Sequence, residues 1–225
     1  MRRVPPSCAV PAEWDRGQNI ADRNSMNIPK ELRRSVRSAR RSLSEEARRG
    51  ASEHLTGRIN GLEIFRRAER IAAFLAFDGE IDPAKLVSHA WTLGTRVYIP
   101  IIGGDDLLRF GLYRPDTPLA PNRFGIPEPV AGAGEVIDAR DLDLVLAPLV
   151  AFDDEARRLG MGGGYYDRSF AFVRDDPDAP RPAMLGVAYE LQKQDRIVTN
   201  PWDVSLDGVA TEKHLYLRAG QTHIR

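Results

Sequence analysis

Residues 142–168 read LDLVLAPLVAFDDEARRLGMGGGYYDR, and the fold turns on how this stretch divides. Residues 142–152 are the most strongly apolar run in the chain, which fits a strand buried on both faces of a parallel sheet. Gly160, Gly162, Gly163 and Gly164 follow, and then a helical segment from Tyr165 with Tyr166, Phe170 and Val173 on one face. Glycine gives up more backbone freedom on folding than any other residue, so this cluster marks a place that something approaches closely. Strand, glycine loop and helix is also the order in which α/β proteins offer free N–H groups to an anion at the carboxyl end of a strand. The named fingerprints fail, however. No Gly-Lys-Ser/Thr follows, and Tyr165 stands where G-x-G-x-x-G needs its third glycine. The plainer alternative is a connection into which side chains do not fit.

Outward from this block, RIAAFLAF (70–77), RVYIPII (96–102), LLRFGLY (107–113) and AMLGVAY (183–189) read as strands, and SLDGVATEKHLYL (205–217) as a turn with an edge strand. Helices are expected over 28–44 with Pro29 in the first turn, from a capping box at Ser42–Glu45 to about residue 60, and over 82–94 closing on Gly94. FGIPEP (124–129) holds two prolines and predicts a loop. The alternation predicts a three-layer α/β/α domain with a mostly parallel central sheet over residues 28–218. Residues 1–27 read as a leader without regular structure, and 219–225 as a short tail.

Composition narrows the function. The 225 residues are 42% apolar and 28% charged, with 32 Lys plus Arg against 32 Asp plus Glu, so nothing points to a nucleic-acid partner. The single cysteine, Cys8, excludes an internal disulfide framework and fits a reducing compartment. No apolar run approaches the ~20 residues of a membrane span, and the expected location is the cytoplasm. Four histidines (His54, His89, His214 and His223) lack zinc-ligand spacing.

The remaining chemistry lies in charged residues. Arg158 and Arg168 flank the glycines, and Asp167 stands where it could reach a metal, although a first-turn acid also stabilises a helix dipole. Asp203 and Asp207 are candidates to complete a two-carboxylate site. Arg33, Arg34, Arg37, Arg40 and Arg41 fall on one side of the first helix, opposite Leu32, Val36, Ala39 and Leu43. Such faces are ordinarily solvated, although one or two of these arginines could clamp a phosphate. Glu80, directly after a strand end, could face a substrate or simply cap the helix that follows.

Together, the arginine-rich opening helix, FDGEID, FGIPEP, LAPLVAFDDEARRLGMGGGYYDR, Gln192 and DVSLDGVAT resemble the 5-formyltetrahydrofolate cyclo-ligase family. The resemblance runs through almost all of residues 30–217, nearest to bacterial members with GMGGG. It implies an α/β/α fold like that of the ribose-5-phosphate isomerase and CoA-transferase group. It implies conversion of 5-formyltetrahydrofolate and MgATP to 5,10-methenyltetrahydrofolate, ADP and phosphate, with small molecules as partners and a monomer or weak dimer. Carried over, Arg33, Arg37, Arg158, Gly160, Gly162, Gly163, Gly164, Tyr165 and Tyr166 would hold ATP. Asp167 and Asp207 would bind Mg²⁺, while Glu80, Phe124, Ile126, Pro127 and Tyr165 would meet the folate. Arg158, Asp167 and Tyr165 would be catalytic. Two departures stand out: Pro29, with Lys30 next to it, occupies a frequent lysine position, and Gly163 another.

Overall fold

The structure, a computed structural model, describes residues 18–130, 132, 134–176, 180–221 and 224, with side chains from residue 29 onward. The described residues begin with three helices: α1 (Gln18–Arg41), α2 (Glu45–Asn60) and α3 (Glu63–Arg67). Then come β1 (Arg70–Ala72), α4 (Ala84–Thr92), β2 (Arg96–Ile102) and β3 (Leu108–Tyr113). Short strands β4 (Leu119–Pro121), β5 (Pro127–Pro129) and β6 (Val136–Ile137) lead to β7 (Leu144–Pro148), β8 (Ala151–Phe152) and β9 (Arg158–Leu159). The chain continues through α5 (Tyr165–Ser169), α6 (Ala171–Asp175), β10 (Ala183–Val187), β11 (Gly208–Ala210) and β12 (Leu215–Leu217).

Eight strands form the central sheet in the order β12-β11-β10-β7-β1-β2-β3-β6. The five inner strands from β11 to β2 are parallel, while β12, β3 and β6 join antiparallel. Alternation along the strands builds two cores. Leu144, Leu146 and Leu185 face α2, α3 and α4 together with Leu55, Phe65 and Leu86. Val145, Ala147 and Met184 face the other way, against Phe110, Phe152 and Phe170. The expected mixed α/β sheet with parallel centre is therefore present. Among the described residues no helix is long and apolar enough to cross a membrane.

Several local expectations need correction. α1 begins at Gln18 rather than at residue 28, and Pro29 lies inside it. There the proline forgoes the bond that its nitrogen would give to the carbonyl four residues earlier. The N-cap of α2 is Ser44, whose hydroxyl accepts the Ala47 N–H, and Ser42 turns back to the Ala39 carbonyl. The expected strand 142–152 is two strands, because β8 leaves the main sheet to pair with β9 in a hairpin. The expected helix after the glycines breaks at Phe170 into α5 and α6. FGIPEP is not wholly irregular, since its prolines pair with Leu119 and Pro121 in an antiparallel hairpin outside the main sheet. Asn122 closes that hairpin, its side-chain oxygen accepting the N–H groups of Phe124 and Ile126.

Gly186 marks a tight point of the sheet. A Cβ there would stand 2.7 Å from Leu149 Cδ2 and from Leu206 Cδ1. Overpacking of this kind costs about 1–3 kcal/mol, so Gly186→Ala should lower the thermal unfolding midpoint. Unfolding curves followed by circular dichroism would check this.

Candidate active site

Beyond the carboxyl ends of β1 and β7, two loops converge on α1. The loop after β1 carries FDGE, residues 77–80, with Asp78 and Gly79 both at positive φ (54° and 74°). Gly79 is required there, because a Cβ would press on the α1 backbone, 3.3 Å from Arg41 Cα. Asp78 collects three guanidinium groups from α1. Arg37 Nε donates to its Oδ2 at 2.6 Å, Arg40 Nη2 to the same oxygen at 3.1 Å, and Arg41 Nε to Oδ1. Arg40 Nε also donates to the Asp78 carbonyl at 2.9 Å. Burial alone would raise the Asp78 carboxyl, but hydrogen bonds from Arg41 and Arg37 outweigh it and hold the group at about 2.

Glu80 closes the same turn, its N–H donating to the Phe77 carbonyl and its Oε2 accepting the Phe77 N–H. Its side chain is only 13% exposed, and Arg40 Nη1 lies 3.6 Å from Oε1. Burial raises the Glu80 carboxyl to about 7, against the pull of Arg40 and the Phe77 N–H. The site thus holds an acid that exchanges its proton near neutrality beside one that never takes one up there.

The second loop follows the β8–β9 hairpin. Asp153, buried at its base, accepts N–H groups of Glu155, Arg157 and Ile197 and the Arg157 guanidinium. The glycines then cross in front of α1. Arg33 Nε donates to the Gly160 carbonyl at 2.7 Å, and its guanidinium carbon lies 3.5 Å from where a Gly162 Cβ would be. Burial lowers the Arg33 guanidinium from its ordinary value. Gly162 and Gly164 have φ of 100° and 68°, a region that other residues enter only with strain. Among the described residues the N–H groups of Gly162, Gly163 and Gly164 donate to no protein atom. Arg168 braces the loop from behind, donating to the Gly163 carbonyl at 2.9 Å.

Opposite the glycines, Tyr165 meets Phe124 edge to face at 6.2 Å, and the Tyr165 hydroxyl accepts from Arg123 at 2.6 Å. Arg123 also lies over the Phe124 ring. Phe124 is half exposed, and Pro127 pairs with Pro121 beside Ile126 in the β4–β5 hairpin. Tyr166 stacks on Phe170, and its hydroxyl is raised by burial and by the Glu80 charge.

Not every candidate stands where the sequence suggested. Arg37 spends its Nε on Asp78. Arg158 is buried against Asp167, with Nη2 2.7 Å and Nη1 3.2 Å from Oδ1, so it orients that carboxylate before it meets any ligand. Asp167 Oδ1 also accepts the Val204 N–H, while Oδ2 accepts nothing among the described residues. Asp207 is fully buried at the amino end of β11. Arg181 grips both of its oxygens, at 2.8 and 2.6 Å, and the Met184 N–H binds one as well. The metal pair expected of Asp167 and Asp207 is therefore not assembled, because Asp207 has no oxygen to spare. The described residues contain no group of three or more His, Cys, Asp or Glu able to hold a metal alone. Asp203 turns to Asn200, and Gln192 is a buried strut between the Tyr189 N–H and the carbonyls of Leu149 and Val150.

The basic face of α1 is solvated only in part, at Arg34 and Arg41. Arg40 is fully buried and Arg33 half-buried, whereas Ala39 is exposed. Sequence reasoning missed Asp78 and Arg123, and named Arg40 only as one of five arginines of the first helix. The only available signal for Asp78 and Arg40 was a lone acid-glycine pair after a strand, with arginines spaced i, i+3 and i+4 elsewhere.

The fold is that of an α/β protein whose parallel sheet carries, at its carboxyl edge, a glycine loop with unpaired amides, an arginine and a protonatable acid. The sequence pattern of the 5-formyltetrahydrofolate cyclo-ligase family matches residues 25–212, and the chain belongs to that family. It is 36% identical over 185 residues to a 5-formyltetrahydrofolate cyclo-ligase of Haemophilus influenzae, covering 80% of this chain and 97% of that one. The corresponding protein of Escherichia coli K12 is 33% identical over 184 residues, covering 80% and 98%. The NMR structure of Aquifex aeolicus 5,10-methenyltetrahydrofolate synthetase superposes with a TM-score of 0.73 at 32% identity, over 85% of this chain and 93% of that one.

The Glu80 proton also bears on stability. Its carboxyl ionises at 4.5 when unperturbed and at about 7 in the fold. The folded protein thus keeps a proton that the unfolded chain releases between those values. Its stabilising contribution is full below the lower value and is lost as pH rises through the upper one. Glu80→Gln should therefore gain on the wild type by about 3 kcal/mol as pH rises across this window. Urea unfolding at a series of pH values would measure the difference.

Proposed function

We propose that this protein cyclises 5-formyltetrahydrofolate to 5,10-methenyltetrahydrofolate, consuming ATP and releasing ADP and phosphate. The observation that carries the reading is the unpaired amides of Gly162, Gly163 and Gly164, set beside Arg33 and within the cleft that holds Glu80. A formamide oxygen is a poor leaving group. Transfer of the ATP γ-phosphoryl group onto it gives an imidate phosphate, N10 then bonds to the activated carbon, and phosphate departs with the original oxygen. Such a reaction needs positioning and charge neutralisation more than a covalent nucleophile.

In this reading the glycine amides and Arg33 hold the phosphates, taking up the charge that Gly163 and Pro29 leave without lysines. Tyr165 and Phe124, with Ile126 and Pro127 on the hairpin, flank the pterin. Glu80 accepts at its carboxylate the proton that N10 releases on forming the new bond, a task suited to an acid that ionises at about 7. Mg²⁺ binds one or two carboxylates together with phosphate oxygens. Asp167 fits this requirement with a free Oδ2 on a side chain that Arg158 fixes, and Asp207 does not. Bound there, the ion would neutralise phosphate charge. Tyr166 packs beneath the loop, and the domain acts on small molecules.

The test mixes protein, MgATP and 5-formyltetrahydrofolate and follows the near-ultraviolet absorbance of the methenyl product. Product formation is expected. Binding of both ligands without product would mark a folate- or nucleotide-binding protein instead. Asp167→Asn should lower turnover at least tenfold, about 1.4 kcal/mol of transition-state stabilisation, and wild-type turnover at saturating MgATP would remove Asp167 from the metal. Arg33→Ala should raise the Michaelis constant for ATP more than that for the folate. The reverse ranking, in steady-state kinetics, would place Arg33 away from the phosphates.

A further inference from the structure

Asp78 is a non-glycine residue held at a φ of 54°, and left-handed backbone costs such a residue on the order of 1 kcal/mol. Glycine or asparagine would adopt the turn more easily, but neither would offer the carboxylate that three guanidinium groups engage here. Its three α1 partners offer more positive charge than one carboxylate cancels. One of them, Arg40, is completely buried, and its Nη1 makes no hydrogen bond although it lies 3.6 Å from Glu80 Oε1. The other two nitrogens of that guanidinium are spent on Asp78, one on its carboxylate and one on its carbonyl.

We infer that Asp78 is a positioning residue for the reaction: its carboxylate draws Arg37, Arg40 and Arg41 onto itself, fixes the turn that presents Glu80, and withholds their charge from Glu80. Were Asp78 neutral, Arg40 would be free to close the 3.6 Å gap and neutralise Glu80 as an ordinary buried ion pair. Glu80 would then hold its negative charge too firmly to take a proton at neutral pH. The groups facing Glu80 are few. Arg40 and Arg37 come from α1 and Asp78 from its own turn. Tyr166 faces it from α5, and Tyr189, beyond β10, donates its hydroxyl to the Glu80 carbonyl at 3.3 Å. Of these only Asp78 carries negative charge, and it opposes the two arginines.

The inference rests on the reading of Glu80 as proton acceptor, and two measurements keep their failures apart. In ligand-free protein, isotope-edited NMR of labelled glutamate carboxyls, with Glu80→Gln to assign the signal, gives the Glu80 titration midpoint without any turnover. Asp78→Asn should lower that midpoint by about one pH unit, a tenfold change in proton affinity. Arg37→Gln, at the more exposed flank of the cluster, should raise it. In the turnover assay, the pH limb that Glu80→Gln abolishes should move with the midpoint in Asp78→Asn, with kcat falling more than the Michaelis constant for ATP rises. A midpoint unmoved in both variants overturns the inference. Should Asp78→Asn fail to fold, Arg37→Gln decides alone, and an unmoved midpoint overturns it. Midpoints that move while the wild type forms no product would sustain the charge arrangement and refute the catalytic reading of Glu80.

Discussion

One carboxylate fastens the first helix to the sheet. Asp78 sits midway along the loop that leaves β1, and the three guanidinium groups it gathers hold α1 across the carboxyl edge of the parallel strands. Arg33 of the same helix then falls on the glycine loop, and the two loops of the cleft share one backing wall. Asp78 and Arg40 are buried, and removing either would leave the other without solvation or partner, which makes this pair far more demanding than a surface ion pair. The helix is consequently located by polar contacts at a point where apolar contacts locate the rest of the fold.

The two kinds of adhesion divide the molecule. Leu144, Leu146 and Leu185 on one face, and Val145, Met184 and Phe170 on the other, fill cores without any charged member. At the carboxyl edge the interior changes character. Arg40, Asp78, Glu80, Arg158 and Asp167 are wholly or largely buried, yet each has a partner of opposite charge. Low exposure and paired charge give this edge its chemistry, since an acid in such a place is governed by few neighbours.

Much of this was legible beforehand. The apolar runs at 144–148, 183–187 and 96–102 announced the parallel centre, because strands covered on both faces need no polar alternation. The glycine cluster announced a special backbone, and Gly162 and Gly164 adopt positive φ there. What stayed hidden depended on partners distant in sequence. The arginines of α1 look like a solvated face until Asp78, some forty residues on, is placed against them. Asp207 looks like a metal ligand until Arg181 is seen on both of its oxygens. Helix limits shifted for a local reason, since Pro29 is tolerated inside α1 when the helix is held elsewhere along its length. The break between β7 and β8 was invisible because Leu149 and Val150 are as apolar as the strands they separate.

The borders of the sheet carry a different consequence. Its outermost strands, β6 and β12, have two and three residues and run against their neighbours, and the strand interior to β6 is itself antiparallel. Long parallel strands would otherwise end in open ladders of N–H and carbonyl groups, which recruit other chains. Here the outermost strands are short, and β6 pairs with only Phe110 and Gly111 of the six-residue β3. The parallel centre thus lies behind antiparallel strands on both sides, independently of the cleft at its carboxyl edge.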